Sequence, residues 1–158
     1  MKKFFIDSDI NEIIKRTQKI LDQFSNKHIV LTGGRGFLGR YLTEIFFRYN
    51  EILDKPIKLT VVDNLSVSGD LGSIWPNYNN FKFIKSDASK QIHLEKDVDF
   101  IIHAAGIASP FYYRSKPLKT LDVAVNGLRN VLNSASENNA KVIFFSSSEI
   151  YGDPDPRF

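Results

Sequence analysis

A run of glycines is the strongest chemical signal in the sequence. Gly33, Gly36 and Gly39 have the spacing G-x-x-G-x-x-G, with Phe37 and Leu38 between the last two. Glycine allows a tight turn from a strand into a helix and lets the backbone approach a pyrophosphate closely. Free N–H groups at the start of the helix would then face the phosphates. The run therefore predicts a dinucleotide-binding turn, and the alternative for a lone glycine motif is an ordinary tight turn.

A carboxylate follows at the distance expected for the ribose of a dinucleotide. Asp63 ends the second apolar run, 24 residues beyond Gly39, where it would accept hydrogen bonds from the adenosine ribose hydroxyls. An acid at this place disfavours a 2′-phosphate, so the sequence predicts NAD as the cofactor. Arg35, inside the glycine turn, would attract that phosphate instead, which keeps NADP as the second choice.

A parallel sheet is needed to position these residues, and the sequence predicts one. Amphipathic helical stretches over residues 37–49 and 118–138 lie among short apolar runs rich in β-branched and aromatic residues. Strands and helices that alternate in this way predict the α/β class, a doubly wound parallel sheet of the Rossmann type. We expect the sheet to be truncated after about five strands, which are His28–Thr32, Ile57–Val62, Phe81–Lys85, Phe100–His103 and Val142–Ser146. Residues 64–80 are predicted to form a long loop.

An additional amphipathic helix precedes this pattern, because residues 9–24 carry apolar side chains at helical spacing. Asp9, with Glu12 three residues later, predicts a capping box at its start. The charges of the helix are mixed in sign, which favours packing on the domain over lying on a membrane. We therefore divide the chain into an N-terminal helix, residues 1–26, and a dinucleotide-binding domain, residues 27–158.

Composition excludes several classes of function. The 158 residues are 42% hydrophobic and 25% charged, with a net charge of +3 and no cysteine. Without cysteine there is no disulfide, thiolate metal site or cysteine nucleophile. No run of like charge suits nucleic acid, and no apolar stretch suits a membrane. Asp7 and Asp9 interrupt the apolar core that a secretory signal needs. The sequence predicts a cytoplasmic protein with no metal, nucleic-acid or membrane partner.

Further short motifs, taken together in order, resemble the extended short-chain dehydrogenase/reductase superfamily. Within it, the chain is similar to the NAD-dependent epimerases and dehydratases of nucleotide sugars. The resemblance covers residues 27–154 and rests on six segments, which are Gly33–Gly39, Val61–Asn64, Ser86–Asp87, His103–Gly106, Asn126–Gly127 and Ser146–Gly152.

The resemblance implies roles for residues that would otherwise be read as loop or helix-surface positions. Asp87 and Ala88 would flank the adenine, and Asn126 would support the active-site helices. His103 is expected to be structural. The implied cofactor-binding set is Gly33, Gly36, Phe37, Leu38, Gly39, Asp63, Asn64, Asp87, Ala88, Ala104, Ala105 and Gly106.

The segments 103–120 and 148–154 resemble most the UDP-glucuronate decarboxylase (UDP-xylose synthase) branch of that family. The branch removes hydride from C4 of the sugar with NAD, loses CO2 from the 4-keto intermediate and returns the hydride. This implies that Ser147 hydrogen-bonds the sugar O4 and that Glu149 orients the ring or handles a proton. Without the flanking motifs, both would be read as turn residues.

The resemblance leaves other points open. Substrate-contacting positions are expected at Ser109, Pro110, Tyr113 and Ser148, although the first three would equally suit a plain loop. A 4,6-dehydratase or a 4-epimerase acting on a nucleotide sugar is the alternative reaction. Family members usually form homodimers through two helices, of which residues 118–138 would be one.

The acid/base of the superfamily is a tyrosine in a Y-x-x-x-K pair beyond the strand that carries Ser147. Tyr78 with Lys82 and Tyr112 with Lys116 have this spacing. Both pairs come too early, the first running into the third strand and the second lying in the loop after the fourth. We therefore expect the 158 residues alone to bind the dinucleotide weakly and to be inactive. The alternative from another class is a non-catalytic NAD-binding module.

Overall fold

The computed structural model describes residues 5–66, 78–92, 94–153 and 157. The predicted loop over residues 64–80 lies in part outside the described residues, as do residues 1–4 of the predicted N-terminal segment. The side chain of Ser148 is likewise outside them.

Helices and strands alternate along the chain after a first helix. In chain order the elements are α1 (Asp7–Leu21), β1 (His28–Thr32), α2 (Phe37–Asn50), β2 (Lys58–Asp63), β3 (Phe81–Lys85), β4 (Phe100–His103), α3 (Pro110–Ser115), α4 (Pro117–Asp122), α5 (Leu128–Asn138) and β5 (Lys141–Phe144). Short 3-10 turns follow α1 at Asp22–Phe24 and β5 at Ser148–Tyr151.

The strands form one parallel sheet in the order β3-β2-β1-β4-β5. The predicted doubly wound sheet is thereby confirmed. Three strands have the predicted bounds. β2 begins and ends one residue later than predicted. β5 begins at Lys141, one residue earlier than predicted, and ends at Phe144 instead of Ser146. Apolar character continues past Phe144 into Phe145, which is why the sequence pattern overruns the strand.

Both faces of the sheet are covered by helices, so its central strands are buried on both sides. Ile29 and Leu31 of β1 pack in a cluster with α1 and α2, while Val30 packs on the opposite face with α5. All five residues of β1 are buried. This explains why β1 reads as an unbroken apolar run instead of alternating.

Helix α1 is an integral layer of this fold. Ile10 is fully buried in the cluster with α2. Polar contacts tie the same helix to α2, since Arg48 pairs with Asp7 and also donates to Asn11 at 3.2 Å. Tyr49, in the last turn of α2, donates its hydroxyl proton to the Asp22 carboxylate.

The predicted capping box at Asp9 is wrong. The helix begins at Asp7, two residues earlier, and Ile6 precedes it without a side-chain cap. Asp9 therefore lies within the first turn, where its carboxylate accepts a hydrogen bond from the Tyr41 hydroxyl at 3.2 Å. A contact with α2 takes the place of the local cap.

The predicted continuous helix over residues 118–138 is also corrected. It begins at Pro117 and is interrupted by a π-helical turn at Val123–Gly127. Such a turn inserts one residue into the helix. Val123 and Gly127 are both buried there, so the turn adjusts the face that the helix presents to the sheet.

Tyr112 and Lys116 do not lie in a plain loop, because the helix α3 spans Pro110–Ser115 and Lys116 is its C-cap. A proline at the first position of a helix has the φ angle that the helix needs and lacks only an N–H that would be unpaired there. Within the described residues, no helix has the length and apolar character needed to cross a bilayer.

We expect Ile10→Ala to lower the free energy of unfolding by about 2–4 kcal/mol, because it leaves a cavity between α1 and α2. Urea unfolding measures the change. Ile20→Ala, on the same helix but 57% exposed, should change it by less than about 0.5 kcal/mol. Equal effects of the two substitutions would mean that α1 is not part of the cooperative core.

Candidate dinucleotide and sugar site

The carboxyl ends of all five strands meet at one edge of the sheet, since every strand pair is parallel. β1 lies between β2 on one side and β4 on the other, and the chain reverses its direction of travel across the sheet there. In open α/β sheets, ligands bind in the crevice outside this switch point. The predicted cofactor and catalytic residues come from the segments that leave this edge.

The glycine turn leaves β1 directly. Gly33 has a φ angle of 76°, which a residue with a side chain rarely adopts. Its N–H donates to the Val62 carbonyl at 2.8 Å, and the Gly36 N–H donates to the Gly33 carbonyl at 3.0 Å. A Cβ atom on Gly33 would lie 2.6 Å from the carbonyl oxygen of Ala104 and 2.6 Å from the nitrogen of Ala105. The turns after β1 and β4 are therefore in backbone contact.

Helix α2 begins at Phe37 without a side-chain cap and without an acidic residue in its first turn. The N–H groups of this turn carry the positive end of a 14-residue helix dipole. Phe37 and Leu38 are exposed beside them. These features fit the pyrophosphate of a dinucleotide, because an anion would satisfy donors that no described side chain caps.

Asp63 is held by backbone donors from two segments. Its Oδ2 accepts from the Arg35 N–H at 2.9 Å, and its Oδ1 accepts from the Leu65 N–H at 2.8 Å. Each carboxylate oxygen has a further lone pair for a ligand hydroxyl. Leu65 takes the left-handed conformation, with φ of 61°. The carboxylate is thus fixed beside the glycine turn, as a ribose-binding acid requires.

Asn64 and Asp87 join the ends of β2 and β3. The Asn64 side-chain amide donates to Asp87 Oδ2 at 3.1 Å, while the Ser89 N–H and hydroxyl donate to Oδ1 at 3.1 and 2.9 Å. Burial raises the pKa of Asp87, but the hydrogen bonds from Ser89 and Asn64 outweigh it and lower the pKa overall. Asp87 is therefore a charged acceptor at neutral pH.

Asn130 is a residue that the sequence analysis missed. Its side-chain amide donates to the carbonyl of Ala88 at 3.1 Å, so it docks helix α5 on the segment implied to flank the adenine. Asn126 instead donates to Asp122 on its own helix. The position of Asn130, three residues after Gly127, could have indicated this contact. Spacing alone, however, does not say which of Asn126 and Asn130 faces the sheet.

His103 ends β4 and is buried, with 1% of its surface exposed. Its Nδ1 and the Thr32 Oγ1 are joined by a hydrogen bond of 2.6 Å. Its ring stacks on Phe144 at 5.7 Å between centroids. Burial lowers the pKa of His103, so the ring is neutral at neutral pH. Ala104 and Ala105 follow at the contact with Gly33, and Gly106 faces open space.

Ser147 and Glu149 leave the same edge beyond β5, and both are exposed. The Ser147 Oγ accepts from the Glu149 N–H at 3.2 Å and so caps the 3-10 turn at Ser148–Tyr151. This bond uses one lone pair of the hydroxyl, whose proton stays available for donation. The arrangement can offer a hydroxyl donor and a carboxylate two residues apart on one turn.

Ser109, Pro110 and Tyr113 lie at the start of α3, after β4. The Ser109 carbonyl accepts from the Tyr112 and Tyr113 N–H groups at 3.0 Å each. The exposed rings of Phe111 and Tyr113 project from this helix. These positions lie at the same strand-end edge as the glycine turn. Their contact with a sugar remains a prediction.

An open groove of about 630 Å3 runs between the segment after β3 and the helix that begins at Pro117. Its lining residues are Asp87, Ser89, Lys90, Leu118, Lys119, Leu121, Asp122, Val125 and Asn126.

Among the described residues, no group of three or more histidines and acids is arranged to hold a metal ion.

The sequence model of the NAD dependent epimerase/dehydratase family matches residues 29–158. UDP-glucuronic acid decarboxylase 1 of Danio rerio is 35% identical to this chain over 139 residues, which are 87% of this chain and 31% of that protein. The chain thus spans about a third of that relative's length. The predicted resemblance to the family, and to its decarboxylase branch, is confirmed.

Solved structures share the fold of this chain. The UDP-N-acetylglucosamine 4-epimerase from Methanobrevibacter ruminantium M1, in complex with UDP-N-acetylmuramic acid, is 30% identical with a TM-score of 0.64 over 85% of this chain and 42% of that one. WbmF of Bordetella bronchiseptica, in complex with NADH, has a TM-score of 0.65 at 18% identity over 80% of this chain and 37% of that one. The second likeness shows the shared fold alone.

We expect Gly33→Ala to destabilise the chain by more than about 2 kcal/mol. The left-handed conformation costs about 1–2 kcal/mol for a residue with a side chain, and the contact with Ala104 and Ala105 adds to it. Gly106→Ala on the neighbouring turn, with nothing within 4 Å of its added Cβ, should change stability by less than about 1 kcal/mol. Thermal unfolding measures both changes. An unchanged stability of Gly33→Ala would contradict the close approach of Gly33 to Ala104 and Ala105.

Proposed function

Because the chain belongs to the NAD-dependent epimerase/dehydratase family, we propose that it binds NAD and serves the modification of a nucleotide sugar. The specific reaction we propose is the decarboxylation of UDP-glucuronate. The observation that carries the cofactor part is the arrangement at the switch point, where an uncapped helix start, a left-handed glycine and Asp63 lie together.

The residues of this edge divide the work of holding the dinucleotide. N–H groups of the first helical residues of α2 bind the pyrophosphate, and the glycines of the turn let it approach the backbone closely. The Asp63 carboxylate accepts from the adenosine ribose. The nicotinamide ring supplies a hydride acceptor when bound. The set is Gly33, Gly36, Phe37, Leu38 and Gly39 for the pyrophosphate, Asp63 and Asn64 for the ribose, Asp87 and Ala88 for the adenine, and Ala104, Ala105 and Gly106 behind β4.

NAD is preferred to NADP on electrostatic grounds. A 2′-phosphate would stand beside the Asp63 carboxylate, and the two negative charges repel each other. The side chain of Arg35, the alternative partner for such a phosphate, is only 3% exposed. Its backbone N–H instead holds Asp63 in place.

Ser147 and Glu149 are proposed to act on the sugar. The Ser147 hydroxyl, oriented by the Glu149 N–H, donates to the sugar O4 and stabilises charge that develops on this oxygen. The Glu149 carboxylate is exposed on the same turn, where it orients the ring or accepts a proton. Ser109, Pro110, Tyr113 and Ser148 are proposed to shape the sugar pocket.

The identity to decarboxylases of UDP-glucuronate supports the choice of reaction. A 4-epimerase is the second candidate, favoured by the 30% identity to the UDP-N-acetylglucosamine 4-epimerase. A 4,6-dehydratase is a third. All three reactions begin at C4 of the sugar, so the proposed roles of Ser147 and of the cofactor are common to them.

A homodimer is proposed as the assembly that the enzyme forms. The helical segment from Pro117 to Asn138 exposes an apolar row of Leu118, Leu121, Val125 and Leu132, between 47% and 81% exposed. Leu118, Leu121 and Val125 also line one groove, so these three lie on the same side of the segment. Apolar rows of this kind are buried when two copies pair, and the family resemblance supports such pairing.

For the cofactor, we expect the chain to bind NAD+ and to bind NADP+ about tenfold or more weakly. Asp63→Asn should weaken NAD+ binding by about 10- to 100-fold, because hydrogen bonds to a charged acceptor are lost. Isothermal titration calorimetry measures both. Asp54→Asn, at an exposed acid between α2 and β2, removes the same charge and should leave the affinity unchanged.

Absence of NAD+ binding by the folded chain would contradict the proposed function. A polypeptide of these 158 residues should show no turnover of UDP-glucuronate, because no Y-x-x-x-K pair follows Ser147 in it. Release of CO2 by this polypeptide would show that another group serves as the acid/base.

For the assembly, we expect Leu121→Glu to shift the full-length enzyme to monomers in sedimentation-velocity experiments, because it places a charge in the apolar row. Ile52→Glu, at a residue that is 66% exposed beyond α2, is the matched control and should leave the dimer intact. A wild-type full-length enzyme that is monomeric at high micromolar concentration would contradict the homodimer.

A further inference from the structure

Two buried histidine–threonine pairs join neighbouring strands of the sheet. One pair is Thr32 Oγ1 with His103 Nδ1, 2.6 Å apart, between β1 and β4. The other is Thr60 Oγ1 with His28 Nε2, 2.9 Å apart, between β2 and β1. All four side chains are buried, with at most 5% of their surface exposed. The pairs have the same chemistry but lie in different parts of the sheet.

The Thr32–His103 pair lies where the strands end. The two residues are register partners and the last residues of their strands. Gly33 and Ala104 come next, and the Ala104 N–H donates to the Thr32 carbonyl at 3.1 Å. The side-chain bond and this backbone bond thus span the point from which the glycine turn and the Ala104–Gly106 turn diverge. His28, in contrast, is the first residue of β1.

The imidazole of His103 is held on its other sides as well. Phe144 stacks on it with an angle of 19° between the ring planes. A Cβ atom on Gly127 would lie 3.6 Å from both Cε1 and Nε2, so the π-helical turn packs closely on the ring edge. Within residues 5–66, 78–92 and 94–153, Nε2 has no hydrogen-bond partner. The ring is therefore oriented by packing, with its polar contact directed at Thr32.

We propose that the Thr32–His103 hydrogen bond is a positioning contact that sets the separation of the two turns that hold the dinucleotide. The inference rests on the proposed function for the identity of the ligand. Neither side chain is exposed enough to touch a ligand, so both act through Gly33 and Ala104. Because the bond joins register partners at the ends of the two strands, it acts against separation of the turns.

Thr32→Val tests the contact, since valine has the shape of threonine without the hydroxyl. We expect NAD+ affinity, measured by calorimetry where all variants are folded, to fall by about tenfold or more, the equivalent of one hydrogen bond or more. Thr32→Ser keeps the hydroxyl and should restore affinity to within about threefold of the wild type. The matched control is Thr60→Val, which removes the other pair's bond and should leave NAD+ affinity unchanged.

A merely structural role predicts a different result. In each of Thr32→Val and Thr60→Val, the loss of NAD+ affinity would then follow the fall in the urea midpoint of unfolding. The same ratio of these two changes in both variants would overturn the proposal. Failure of Thr32→Ser to restore the affinity would overturn it too. Should Thr32→Val not fold, Thr32→Cys takes its place, because a thiol is a weaker hydrogen-bonding group; its affinity should lie at least threefold below that of Thr32→Ser, and equal affinities would overturn the proposal.

Failure of the proposed function is separable from failure of the positioning contact. If the wild type binds no NAD+, the positioning contact is tested by hydrogen exchange of the Gly33 and Ala104 amides in the ligand-free chain. Faster exchange at these two amides in Thr32→Val but not in Thr60→Val supports the positioning contact. Equal exchange in the two variants overturns it.

Discussion

Backbone contact between the turns after β1 and β4 is the constraint on which the candidate site depends. The two strands are paired in parallel, so their carboxyl ends carry both turns to the same place. A side chain at position 33 would collide with the carbonyl of Ala104. Glycine removes this obstacle and accepts the left-handed φ angle that redirects the chain into α2. The helix start, Asp63 and the turn behind β4 are placed relative to one another by this contact.

The layers around the sheet keep this edge in place. Helices α1 and α2 bury one face and α5 the other, so the strands have little freedom to shift in register. Helix α1 adds to this layer by packing Ile10 into the core and by its ion pair between Asp7 and Arg48. The π-helical turn brings Gly127 against His103. Residues distant from the edge thus pack the elements that carry it.

Charge is divided along the edge in a way that suits a dinucleotide and a sugar. The start of α2 offers N–H donors without a competing acid in the first turn. Asp63 and Asp87 stand further along, each held by hydrogen bonds from neighbouring N–H or hydroxyl groups. Ser147 and Glu149 are exposed beyond β5. The edge therefore offers donors to the anionic groups of the proposed ligands at one end and acceptors to their hydroxyl groups elsewhere.

The sequence by itself determined the sheet and the position of its glycine turn, because burial on both faces produces apolar runs and a close backbone approach demands glycine at Gly33. It also indicated the family, through short motifs in a fixed order. Only the tertiary structure decided the partners of single side chains: Asp9 binds Tyr41 instead of capping α1, Asn130 binds the Ala88 carbonyl, and Thr32 meets His103. These contacts join residues from different elements, and their geometry depends on helix rotation and on the extra residue of the π-helical turn. Local spacing carries no information about either.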